Sequence, residues 1–109
     1  MTDESDERPF DCDLDVAETA TAGVRFNIAV GDTLSADALQ PVARAAWGLV
    51  EDGGAPAELL REARAARRRL ELVCGASGER LFLDNVIEYA RTRRPRRRRA
   101  ARKIDGPPA

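Results

Sequence analysis

Histidine is absent from this chain of 109 residues, and cysteine occurs only at Cys12 and Cys74. Without histidine or a CxxC pair, one chain cannot supply the usual four ligands of a zinc site. No imidazole is available to activate a serine or cysteine nucleophile either. Aromatic residues are 5% of the chain, too few for the stacking platforms that read single-stranded bases, so Phe10, Phe26 and Phe82 are assigned to the core. No apolar run approaches the roughly 18 residues of a membrane-spanning helix. The start, MTDESDERPF, has neither the basic nor the apolar stretch of an export signal. These absences favour an intracellular protein in a reducing compartment, cytoplasmic if bacterial and nuclear if eukaryotic or viral. They also favour no membrane partner, no metal and no cofactor, with both thiols buried.

What the chain does have is segregated charge. The net charge of −1 hides a dipole: residues 1–37 hold ten acidic and two basic residues, whereas residues 61–103 hold fifteen basic and five acidic ones. Steering depends on where charges sit, not on their sum. All the basic residues except Lys103 are arginine. Its planar guanidinium grips phosphate or carboxylate with two parallel hydrogen bonds.

The length suits one domain. Residues 1–8 and 95–109 are too polar to offset the entropy of ordering, which predicts a disordered acidic N-terminal tail and a disordered Arg-rich C-terminal tail around a single domain at 9–94. The fold expected for that domain is α+β. FDCDLDV, Phe10 to Val16, alternates apolar and acidic residues, and VRFNIAV, Val24 to Val30, continues the period of two. The two runs read as an N-terminal antiparallel β-hairpin joined through AETATAG. Phe10, Cys12, Leu14, Val16, Val24, Phe26, Ile28 and Val30 then face the core. Asp11, Asp13, Asp15, Arg25 and Asn27 face water, with Arg25 pairing one aspartate across the strands.

Two or three helices are expected to cover that hairpin. The first begins near Ser35 or Asp37, passes an irregular turn at Pro41 and ends at Asp52-Gly53-Gly54. Pro56 suits the first turn of the second, whose apolar stripe is Leu59, Ala63, Ala66 and Leu70. Residues 70–83 read either as a continuation of that helix through Val73 and Cys74 or as a second hairpin. A last helix, capped by Asp84, carries Val86, Ile87 and Ala90 and stops before Pro95.

Each chemical motif competes with a plainer reading. Asp11, Asp13 and Asp15 begin like a calcium loop, but Val16 stands where the glycine is needed and Ala22 where the distal glutamate is needed. A solvated acidic edge is the better reading. GASG, Gly75 to Gly78, lacks the Lys-Ser or Lys-Thr of a P-loop. Over nine residues, VCGASGERL, it resembles the GXXG loop of KH-type RNA binders, although Ala76, Ser77 and Glu79 are not cationic and an ordinary turn explains it. Catalytic residues are not expected, and the protein is read as non-enzymatic.

The strongest signal is basic: Arg91, Arg93, Arg94, Arg96, Arg97, Arg98, Arg99, Arg102 and Lys103, without an acid among Arg93 to Lys103. Arg61, Arg64 and Arg68 extend it on one flank of a helix. The expected function is a small regulatory or accessory protein that contacts DNA or RNA phosphates without reading sequence. The alternative is a protein-binding modulator whose folded face meets a partner, with Trp47 as anchor, while the Arg run serves nuclear import or docks on an acidic protein. Homo-oligomers are compatible with either, since opposite tails can pair within a chain or head to tail.

Overall fold

The computed structural model describes residues 9–93 and shows four helices: α1 Asp13–Ala29, α2 Thr33–Asp52, α3 Pro56–Arg69 and α4 Ser77–Thr92. Among the described residues there is no strand, so the α+β expectation is overturned. The N-terminal hairpin is α1 and its approach. The second hairpin at 70–83 is also absent: α3 ends at Arg69, a turn follows, and α4 starts at Ser77. Helix continuation through Cys74 fails as well. The tails expected at 1–8 and 95–109 lie outside the described residues.

The period of two misleads in α1 because its buried face is carried by small residues. Val16, Ala17, Ala20, Val24 and Asn27 are buried, a helical spacing that runs through the alanines of the supposed link. Phe26, Ile28 and Val30, which a strand would bury, are exposed, as are Leu14 and Cys12. Asn27 is buried instead of solvated. Its side-chain amide donates to Gly23 O at 2.8 Å, which offsets part of the cost of burying it, and its backbone carbonyl accepts from Asp32 N at 2.8 Å. Arg25 is exposed and, among the described residues, has no ion pair with an aspartate.

Local chemistry sets the other boundaries. Gly31 at φ 85° turns the chain between α1 and α2. Asp32, not Ser35 or Asp37, caps α2 by accepting from Ser35 N at 2.9 Å. That bond holds the Asp32 carboxyl below its usual range. Pro41 sits inside a continuous helix and not in an irregular first turn. Gly53, left-handed at φ 68°, ends α2, and Pro56 opens α3 as expected. Asp84 is in the middle of α4 and caps nothing.

Connections of three residues between α1 and α2, and between α2 and α3, force neighbouring helices to run antiparallel. Trp47 bonded to Thr21, and Arg67 to Asp84, fix the register of the first and last pairs. One core joins them, with Val16, Leu39, Val42, Leu59, Leu70, Leu83 and Val86 fully buried. Leu59→Ala empties the α3 side of that core and is expected to cost about 2–5 kcal/mol. Urea unfolding followed by circular dichroism measures it, and a loss below 1 kcal/mol (about one-fifth of a small domain's margin) contradicts the assigned packing.

Candidate functional site

The described chain begins and ends at one place. Asp13, in the first turn of α1, accepts three bonds from α4 and the residue that follows it: Tyr89 Oη–H to Oδ1 at 2.8 Å, Arg93 Nε–H to Oδ1 at 2.7 Å, and Arg93 Nη2–H to Oδ2 at 2.6 Å. The Asp13 and Arg93 side chains are only 16% and 14% exposed. Phe10, just upstream, lays its ring edge-on to Phe82 and Tyr89, with centroids 5.9 and 6.0 Å apart.

Asp13 is thus the exception to the solvated acidic edge expected at Asp11, Asp13 and Asp15. Asp11 stays exposed, and Asp15 accepts from Asp11 N at 3.0 Å, tying up an amide ahead of the helix. Asp13 and Asp15 also place negative charge at the positive end of α1. No group of three metal-ligating side chains occurs among the described residues.

Burial and the bond to Asp13 push the Tyr89 phenol up to about 12. Donation to Asp13 raises the already high Arg93 guanidinium further. Both carboxylate oxygens are therefore occupied and the phenol stays protonated near neutrality. The cluster ties the start of α1 to the end of α4.

Four of the basic positions expected to bind lie on the described helices. Arg61, Arg64 and Arg68 share the outward face of α3, opposite Leu59, Ala63, Ala66 and Leu70, and all three are exposed. Among the described residues Arg64 and Arg68 make no ion pair, and Arg61 approaches Glu62 only at 3.9 Å. Arg91 is exposed and paired with Glu88 at 2.7 Å. Arg93 is consumed by Asp13 and so is an anchor, not a free contact. Arg94, Arg96, Arg97, Arg98, Arg99, Arg102 and Lys103 lie outside the described residues.

Other arginines do structural work that the sequence did not reveal. Arg67 bridges Glu71 and Asp84, both at 2.8 Å. Arg80 donates to Leu70 O and Val73 O, adding a second bond to carbonyls that accept Val73 N and Ala76 N in the turn after α3. Trp47 is half-buried, its indole N–H donating to Thr21 Oγ1 at 2.9 Å, so it belongs to the rim of the α1 and α2 contact. Cys12 and Cys74 are both exposed, against the expectation of buried thiols. Gly75, left-handed at φ 83°, makes GASG the turn into α4, and without a sheet the KH resemblance goes no further. No helix among the described residues is long and apolar enough to cross a membrane.

No family model, curated protein or solved structure matches this chain.

Tyr89 is the single tyrosine, so its ionisation reports on the cluster without interference. With the folded value raised above the unfolded one near 10, the contribution to stability is complete below pH 10 and is lost as pH rises towards about 12. Phenolate absorbance should show a midpoint near 12 that moves towards 10 in Asp13→Ala. The same substitution strips the carboxylate from Arg93 and should cost about 1–3 kcal/mol. An unshifted titration midpoint in Asp13→Ala would show that the cluster does not hold Tyr89.

Proposed function

We propose that this is a non-enzymatic binding protein that contacts nucleic-acid phosphates, without reading base sequence, through Arg94 to Lys103. The observation that carries the reading is the anchoring of Arg93. A basic run continues directly from a residue fixed to both the first and the last helix.

Arg61, Arg64 and Arg68 support the same reading. Where Arg67 meets Asp84, the antiparallel register sets Arg61 level with the last turn of α4, beside the start of the run. Their exposure, and the lack of an ion pair at Arg64 and Arg68 among the described residues, leaves guanidinium donors for phosphate oxygens. Trp47 supports the alternative of a protein-binding face poorly, because its polar atom is already engaged within the fold.

Six basic residues follow Arg94. Neutralising about six phosphates gives a slope near −5 for log K against log salt on duplex DNA. Truncation after Arg94 is expected to abolish most of the affinity and to remove that share of the slope, leaving only what Arg61, Arg64 and Arg68 supply. Replacing Arg61, Arg64 and Arg68 together with glutamine should lower it by about 2–3. If the truncated chain keeps the affinity and slope of the full chain, the tail is not the binding element.

A further inference from the structure

The outward face of α3 is built from two residue types. Arg61, Arg64 and Arg68 follow one another along it, with Ala57 and Ala65 alongside, on the side of the helix away from the buried Leu59, Ala63 and Ala66. Their spacing sets the three arginines on one line about 10 Å long. No acid interrupts that line, because Glu58 and Glu62 stand on one flank. Arg67, on the other flank, is engaged by Glu71 and Asp84.

We propose, on the phosphate-binding reading above, that this face takes double-stranded DNA: α3 lies against the duplex with its three arginines on backbone phosphates. Charge density favours the duplex. Over about 10 Å of axis a duplex presents about six phosphates and one strand about three. A helix is too stiff to wrap round a strand, so the line of arginines gains most from the target that brings more charge in front of it. Unpaired bases are held by stacking on aromatic rings, and α3 carries none.

The DNA form is favoured over an RNA duplex by shape and by hydrogen bonding. The DNA major groove is about 12 Å wide and admits an α-helix, whereas that of RNA is narrow and deep. RNA duplexes are recognised across the minor groove, partly through 2′-hydroxyls. Arginine and alanine side chains offer such a hydroxyl no acceptor. Ala57 and Ala65 are also short enough to let the helix approach the sugar and phosphate rows closely.

Fluorescence anisotropy of the full chain tests this at about 100 mM salt. The probes are a labelled DNA duplex of about 20 base pairs and mixed sequence, one of its strands, and the matching RNA duplex. The DNA duplex is expected to bind about 10-fold tighter than either of the others. Arg61→Gln, Arg64→Gln and Arg68→Gln together should weaken the DNA duplex by about 10- to 100-fold and the single strand by less than about 3-fold, with an unchanged helical circular dichroism spectrum. Arg25→Gln with Arg44→Gln, at exposed cations of α1 and α2, should leave both affinities within about 2-fold. Equal binding of the three probes, no binding of the duplex, or equal losses on duplex and strand in the triple variant overturns the proposal. So does an equal loss in the Arg25 and Arg44 variant, or displacement by polyglutamate as effective, charge for charge, as by unlabelled duplex. The basic tail acts on every one of these polyanions, so truncation after Arg94 tests the tail while the margin between duplex and strand tests α3, and either can fail alone.

Discussion

A single carboxylate closes this fold. Each helix packs on the next in sequence, α1 on α2, α2 on α3 and α3 on α4, so the bond from α1 back to α4 has to be made by something else. Asp13 makes it with both of its oxygens. A bidentate guanidinium and a phenol give three charge-assisted bonds, enough to offset the desolvation that usually makes a buried pair poor value. Phe10 adds apolar cover on the same side, packed edge-on to Phe82 and Tyr89. The start of α1 and the end of α4 therefore face the same way, and so do the points from which the acidic and basic segments leave.

How much of this was legible in the sequence follows from how local each signal is. The second helix, from Pro56 with its stripe of Leu59, Ala63, Ala66 and Leu70, was readable because large and small apolar residues keep one helical phase. So was the stop at Gly53, where a left-handed residue is required. In α1 the phase is carried by Ala17, Ala20 and a satisfied Asn27, while the bulky Phe26, Ile28 and Val30 point elsewhere, so a reading weighted by side-chain size finds alternation. The start of α4 gave no signal, since Ala76 makes no side-chain cap. The outward face of Arg61, Arg64 and Arg68 was readable from spacing alone. The pairing of Arg93 with Asp13, across 80 positions, has no local signature, and that is why Arg93 read as one more free cation.

The two ends of α4 obey different physics. At its start Leu81 is bare, and an apolar contact there is strengthened or unaffected by ordinary salt. Beyond its far end follows the Arg run, through which we propose phosphate contacts of the kind that salt weakens steeply. Between them lies the Asp13 pair, whose low exposure shields it from much of the screening felt by surface charges. Salt that strips the run from a phosphate chain thus leaves the run's anchor closed. On the proposed reading, release of a phosphate ligand does not require the bundle to open.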